Sequence, residues 1–303
     1  MKKVITLLLT LAAFLYPASL KEWRVEPKRS TGFSSFRLLD AKIFVPDSFD
    51  KGDFSGISGI AYDRDEKRLY AVSDNAKLYV IKLQTGENEI KKMDILSLLP
   101  LKDRNGDRLK GKKMRDAEGM DLYGEGLLVS FERKPRVILF DKTGREIKRI
   151  KIPKPLEKES RYRGRNKMLE AVLFHPGLGI LTAPELPLEG AKKGHHTVYG
   201  KNVRFHIPFS GSLTAMEITE KGNILVLERE FDPIFGNRVV TLSLIYTEGG
   251  GYKEIAKLKS QDGWRLDNFE GLARLEKNRF LMTSDDNENP FQKRLLLLFE
   301  ISE

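Results

Sequence analysis

Acidic side chains recur at the borders of five short apolar runs, and their spacing is nearly constant. The runs are Ser58-Gly-Ile-Ala-Tyr…Val-Ser-Asp74, Glu118-Gly-Met-Asp-Leu…Ser-Phe-Glu132, Glu170-Ala-Val-Leu-Phe…Ala-Pro-Glu185, Thr214-Ala-Met-Glu-Ile…Val-Leu-Glu228 and Glu270-Gly-Leu-Ala-Arg…Thr-Ser-Asp285. First-to-last separations are 16, 14, 15, 14 and 15 residues. Brought together, Asp74, Glu118, Glu132, Glu170, Glu185, Glu228, Glu270 and Asp285 would make a ring of carboxylates. Such a ring raises its members' pKa values unless a cation or basic side chain neutralises them. Hard oxygen ligands suit Ca²⁺ or Mg²⁺, and calcium tolerates irregular geometry better. The simpler alternative is that each acidic group caps a strand end and bonds backbone amides or nearby arginines.

The elements that would position these residues are β-hairpins. Turn chemistry falls near each midpoint, at Asp63–Lys67, Tyr123–Gly126, His175–Gly179, Glu220–Gly222 and Glu276–Asn278. The first and last residues of each unit therefore lie at the same end of a hairpin. Further strand-like runs follow most of them, and successive units start 60, 52, 44 and 56 residues apart, as blades of three or four strands would. One blade cannot bury both of its faces, whereas a ring of blades can. The pattern predicts an all-β chain forming a β-propeller, with a β-sandwich as the structural rival. Phe36–Val45 and the carboxyl-terminal strands are expected to complete a sixth blade, with five or seven blades as the alternatives. No helix of consequence is expected past the amino-terminal segment.

Basic residues accompany the ring. Between Lys134 and Lys167 stand 13 Lys and Arg against four acidic residues. The end of this stretch, Arg161-Tyr-Arg-Gly-Arg165, runs directly toward Glu170. Arg133 and Arg229 flank other ring positions. The guanidinium fork matches phosphate oxygens, so arginines beside metal-bound carboxylates suit a phosphate. A solvated basic face is the competing explanation. Nucleic acid is not expected as a partner, because only Tyr162 accompanies the arginines of the basic run.

The ordered series Phe54-Ser-Gly-Ile-Ser-Gly-Ile60, Asp116-Ala-Glu-Gly119, Asn166-Lys-Met-Leu-Glu-Ala171, Ile224-Leu-Val-Leu-Glu-Arg229 and Asn268-Phe-Glu-Gly271 resembles the phytase-like domain family, also called "esterase-like activity of phytase". The resemblance spans about Phe36 to Ile301. It implies an exported β-propeller and calcium-assisted hydrolysis of phosphomonoesters. The chain departs from the family pattern at Ala171, where glycine usually follows the glutamate. Thr214 stands where the other repeats have a carboxylate or serine.

On this reading Glu118, Glu170 and Glu270 are the catalytic carboxylates and hold Ca²⁺. Asp74, Glu132, Glu185, Glu228 and Asp285 are further ligands or lie just outside them, and Arg133, Arg229 and Arg165 bind a small anionic or phosphorylated substrate. The alternative is a non-catalytic propeller, stabilised by calcium, that binds an anionic ligand or an envelope partner. Serine esterase chemistry is disfavoured, since no Gly-x-Ser-x-Gly elbow is present and Gly56-Ile-Ser-Gly59 precedes a strand. His175 falls in a midpoint turn, and His195, His196 and His206 fall in an insertion read as a surface loop. Asp103-Arg-Asn-Gly-Asp107 reads as a turn rather than a calcium loop.

Composition bounds the remaining choices. The 303 residues contain no cysteine, which removes disulfides, thiolate metal sites and cysteine nucleophiles. Residues 1–20, with Lys2 and Lys3 before an apolar run, read as a secretory signal peptide. Residues 21–303 would then form a single phytase-like propeller domain, exported to a periplasmic or secreted location. Losing those two lysines lowers the net charge from +10 to +8. A monomer without stable membrane insertion is expected after cleavage.

Overall fold

A computed structural model describes residues 18–27, 32–46, 55–287, 289 and 291–303. Most of the expected signal peptide lies outside the described residues. Its last three positions fall in the first strand, β1 (Ala18–Glu22), which pairs with β2 (Phe36–Pro46).

Four four-stranded sheets follow in chain order. They contain β3 (Ile57–Asp63), β4 (Arg68–Ser73), β5 (Lys77–Thr85) and β6 (Ile90–Pro100), then β7 (Ala117–Tyr123), β8 (Gly126–Phe131), β9 (Arg136–Asp141) and β10 (Glu146–Ile150). The third has β11 (Leu169–His175), β12 (Gly179–Pro184), β13 (His195–Tyr199) and β14 (Arg204–Pro208), and the fourth β15 (Ser212–Ile218), β16 (Ile224–Asp232), β17 (Asn237–Ile245) and β18 (Tyr252–Lys259). The last sheet is built from both ends of the chain, in the order β1-β2-β21-β20-β19, where β19 is Asn268–Glu276, β20 Arg279–Asp285 and β21 Leu295–Ile301. The innermost strands β3, β7, β11, β15 and β19 pack side by side, and β19 meets β3 to close the ring.

The protein is therefore an all-β propeller, with five blades among the described residues rather than the expected six. Phe36–Val45 does join the carboxyl-terminal strands, but the sheet they complete is the fifth. The hairpin β19–β20 has only β21 after it and needs a fourth strand, which β2 supplies by pairing Phe36 with Ile301 through Ile43 with Leu295. This closure ties the two ends of the chain together. Among the described residues helix is confined to the turn Lys112–Arg115 and three short 3₁₀ segments, and none is long and apolar enough to cross a membrane.

Every sheet is sandwiched between two others, so both faces of a strand are buried. In β21, Leu295, Leu297, Phe299 and Ile301 face the fourth blade, and Leu296 and Leu298 face the first. This explains why β21 reads as an unbroken apolar run: successive side chains serve two cores. Burying one such side chain contributes about 1.5–3 kcal/mol. Carboxylates stitch the blades at the far end of the axis. Asp121 Oδ2 accepts the Phe174 amide at 2.6 Å, and Glu217 Oε2 accepts the Arg274 amide at 3.0 Å.

Near the axis the backbones approach too closely for most side chains. A Cβ on Gly59 would lie 2.4 Å from the Glu118 carbonyl oxygen, and one on Gly119 2.6 Å from that of Glu170. Gly59, Gly119, Ala171, Ala215 and Gly271 occupy corresponding positions in the five innermost strands, so Ala171 is a permitted departure from glycine. Gly59→Ala should cost about 1–3 kcal/mol through overpacking, whereas Gly177→Ala, with only ordinary contacts, should stay within about 0.5 kcal/mol of wild type. Urea denaturation of the two variants checks this.

Candidate functional site

One irregularity positions the site. Each innermost strand carries a β-bulge against its hairpin partner, located between Ile57 and Gly59, Ala117 and Met120, Leu169 and Ala171, Leu213 and Ala215, and Phe269 and Gly271. The extra residues are Ser58, Glu118, Glu170, Thr214 and Glu270. A bulge re-aims the side chain it carries, and here the same device recurs in all five blades at the same end of the axis. On the second strand of each hairpin, the residue that follows the partner of the pre-bulge position is Asp74, Glu132, Glu185, Arg229 or Asp285.

That register separates Glu228 from the other seven ring residues. Glu228 pairs with Leu213, as Ser73, Phe131, Pro184 and Ser284 pair with their own pre-bulge residues. Moving by one residue along a strand turns the side chain to the other face. Arg229 therefore takes the ring position in the fourth blade. Glu228 is fully buried off the ring, where its Oε1 accepts the Ser210 amide at 3.0 Å and lies 3.5 Å from His196 Nε2.

The carboxylates divide into groups. Asp116, Glu118 and Glu132 offer oxygens all within 4.8 Å of one another, as do Glu132, Glu170 and Glu185. Glu132 is common to both triads. Asp116 was absent from the expected ring. Glu270 is committed elsewhere: its Oε1 accepts from Arg229 Nη2 at 2.8 Å and from Asn268 Nδ2 at 2.7 Å. On the first and fifth blades, Asp285 neighbours Asp74 and Asp286 electrostatically. Asp286 Oδ1 accepts the Gly56 amide at 3.2 Å, and its Oδ2 lies 2.6 Å from Arg294 Nη2.

Of the arginines, Arg133 Nε lies 3.0 Å from Asp116 Oδ2, and Arg229 is held against Glu270. Arg165 is exposed in the loop before β11. Lys167 Nζ donates to Glu185 Oε1 at 2.9 Å.

Residues 52–288 match the family described as "Phytase-like: Esterase-like activity of phytase". The chain belongs to this family. No curated protein matches it. Among solved structures, the phytase-like chain is similar to the β-propeller domain of Cps50 (Swd1) from Myceliophteria thermophila, with 11% identity, a TM-score of 0.42 and coverage of 94% of this chain and 100% of that one. It is also similar to the PQQ-bound form of aldose sugar dehydrogenase from Streptomyces coelicolor, at 11% identity and a TM-score of 0.42, covering 95% of this chain and 99% of that one. Likeness at this distance has no bearing on chemistry.

Burial and mutual repulsion leave the carboxyls of this phytase-like site hard to ionise. Burial, then Glu170 and Glu270, pushes Glu118 well above the usual range, and burial with Glu185 does the same to Glu170. Burial and Asp116 raise Glu132 to about 8, while burial and Glu270 raise Asp285 to about 9. In Glu270 burial outweighs the opposing pull of Arg229.

A divalent cation fits this donor set. Two oxygens bound to one calcium at about 2.3–2.6 Å stand no more than about 5 Å apart, which both triads satisfy. When ionised, the five carboxylates of the triads outnumber the cations that neighbour them, Arg133 and Lys167 in direct contact and Arg136 and Arg229 electrostatically. Asp116 Oδ2 is buried and faces Arg133 as an ion pair without hydrogen-bond geometry.

The axis below the ring is nearly closed. The space lined by Gly59, Gly119, Met120, Ala171 and Glu270 is about 10 Å³, roughly the room for one water. A substrate must therefore lie on the ring face, not in a channel.

The histidines are arranged differently from the sequence expectation. His195–Tyr199 and Arg204–Pro208 are strands of the third blade rather than a surface loop, and His196 is fully buried with its ring 4.9 Å from Phe209. Burial lowers its pKa to about 4. His175 sits in the midpoint turn, where Nδ1 accepts the amides of Gly177 and Leu178 at 3.1 Å. Asp103 closes a turn through the Asn105 and Asp107 amides.

A carboxyl whose pKa is raised on folding binds protons more tightly in the native state than in the unfolded chain. Stability is then lost as pH climbs toward the folded value. With divalent cations chelated, the melting temperature should fall from about pH 5, just above the unfolded carboxyl range, and level off once folded Glu132 and Asp285 lose their protons at about 8 and about 9. Added Ca²⁺ should restore it most at the alkaline end, as thermal melts across the pH series with chelator and with calcium can read.

Proposed function

We propose that this phytase-like protein hydrolyses phosphomonoesters with the help of a divalent cation, calcium by preference, on the carboxylate face of the propeller. The observation that carries this reading is the pair of carboxylate triads sharing Glu132, four of their five members buried and together more numerous than the cations around them. Family membership supports the reaction class.

Glu118, Glu132 and Glu170 would hold the cation with Asp116 and Glu185, their ionisation favoured by its charge. When bound, the cation would polarise a phosphoryl oxygen and ease deprotonation of a neighbouring water. Arg229, fixed by Glu270, would present its guanidinium beside the triads to orient the phosphate. Arg133 would contribute from the Asp116 side, and exposed Arg165 from the outer rim. Glu270 acts in this scheme through Arg229, and Asp74 and Asp285 stand outside the triads. Glu228, buried against His196, has no part in it. The protein would be exported, periplasmic or secreted, and monomeric.

One observation favours the alternative of a non-catalytic binding propeller. Glu170 and Glu185 are deeply buried, which suits a cation held for stability alone. Hydrolysis of phytate and p-nitrophenyl phosphate, measured with calcium and with chelator, separates the two readings. The phosphoesterase reading expects calcium-dependent turnover and a loss of about 100-fold or more in Glu118→Gln, the scale of Lewis-acid stabilisation. Arg229→Gln should raise KM about tenfold, roughly one charge-assisted hydrogen bond. No turnover, with a calcium-dependent rise in melting temperature, would replace it with the binding reading.

A further inference from the structure

Large apolar side chains are exposed on the ring face, and the fold explains where but not why. In the fourth blade β16 runs on past ring residue Arg229 to Asp232, and β17 begins at Asn237. The hairpin thus stands above the face that carries the carboxylates. Ile234 is 82% exposed and Phe235 76% at its tip, with Phe231 50% exposed on the stem. Phe209, which opens the neighbouring loop before β15, is 45% exposed.

The tip is built rather than loose. Asp232 Oδ1 accepts the amides of Ile234 and Phe235 at 2.9 and 3.3 Å. Gly236, at a φ of +69°, donates its amide to the Asp232 carbonyl at 2.8 Å. Strand pairing continues to the last step, Asp232 with Asn237. The result is a convex turn that holds two large apolar side chains in water.

Positive charge surrounds it. Arg238 stacks on Phe231 at 4.9 Å, and Phe209 is bonded through its amide to Gly194, next to exposed Lys192 and Lys193. Further round the same face, residues 151–168, between the ring ends of β10 and β11, carry seven Lys and Arg against two acidic residues. Exposed Glu230 and half-buried Asp232 are the opposing charges on the hairpin.

We propose that this hairpin tip and the basic loops beside it dock the ring face on an anionic lipid bilayer. Ile234 and Phe235 would leave water for the acyl boundary, while the lysines and arginines meet the headgroups. Apolar insertion combined with basic flanks is how a peripheral protein binds such a surface. The convex shape suits a deformable lipid layer better than a preformed protein groove, and the basic loops match anionic headgroups. Docking in this orientation would bring the candidate cation site against lipid phosphates. The attachment itself does not depend on the hydrolase reading.

Sedimentation of the purified protein with vesicles of equimolar phosphatidylglycerol and phosphatidylcholine, in chelator so that no divalent cation bridges the two, tests the proposal. Wild type should partition at least about tenfold more strongly onto these vesicles than onto phosphatidylcholine alone, and the advantage should shrink in high salt. The double variant Ile234→Ser, Phe235→Ser should lose about tenfold or more of its partitioning with an unchanged melting temperature. Ile147→Ser, which removes an exposed apolar group from the outer strand β10, should bind as wild type does. Failure to bind, or binding indifferent to the tip variant, would overturn the proposal. A dimer that the tip variant dissolves, without vesicle binding, would overturn it in favour of a second copy. Phosphatase turnover is read by neither arm, so the two functional readings stand or fall separately.

Discussion

Five strands packed around one axis leave almost no room at their centre, and the chain meets that constraint with a bulge beside a small residue in every blade. Gly59, Gly119, Ala171, Ala215 and Gly271 let neighbouring backbones touch. The bulged residue before each one is displaced from the regular pleat toward the open end of the axis. Steric closure and the delivery of polar side chains are thus one structural event. Serine, threonine and glutamate can occupy the bulge because it removes them from the apolar interfaces, which lie between blades and belong to the alternating residues further along each strand.

Gathering carboxylates in this way is electrostatically unfavourable, and the fold meets that cost differently on different sides of the axis. Between the second and third blades the two triads have fewer cations than charges. Around the fourth and fifth, Arg229 neutralises Glu270 and Asn268 adds a second hydrogen bond to the same oxygen. A removed partner would leave a buried charge uncompensated, which is costly in any protein interior. The basic groups facing the ring are therefore structural before they are anything else, and an arginine already in place for that reason is available to an anion.

Much of the architecture was legible in the sequence because a propeller repeats itself. The hairpin period, the midpoint turns and the apolar runs located all five innermost hairpins. Blade number was not legible, because nothing in Phe36–Val45 tells whether it starts a new sheet or finishes the last; the pairing of β2 with β21 settles that. Glu228 was misjudged because the apolar run Ile224–Leu227 ends one residue earlier than its counterparts. The separation of Thr214 and Arg229 is 15 residues, matching the third and fifth hairpins, and was the available signal. Asp116 precedes the apolar run and so escaped a search at its borders. His196 looked like a loop residue because β13 and β14 are short, five residues each.

The irregularity of the fourth blade breaks the charge symmetry of the ring. Five equivalent glutamates would set up a symmetric negative field that holds a cation on the axis and repels any anion approaching it. Thr214, like Ser58 in the first blade, carries no charge, and Arg229 replaces a carboxylate with a guanidinium, so the unpaired carboxylates concentrate between the second and third blades. The fourth blade offers a guanidinium whose charge is balanced by Glu270. A phosphate ester needs both, a cation on one oxygen and donors on another, at adjacent points of a surface that excludes competing carboxylates. On the proposed reading, the departures from the repeat at Thr214 and Arg229 are what would let a ring that holds a cation also receive an anion.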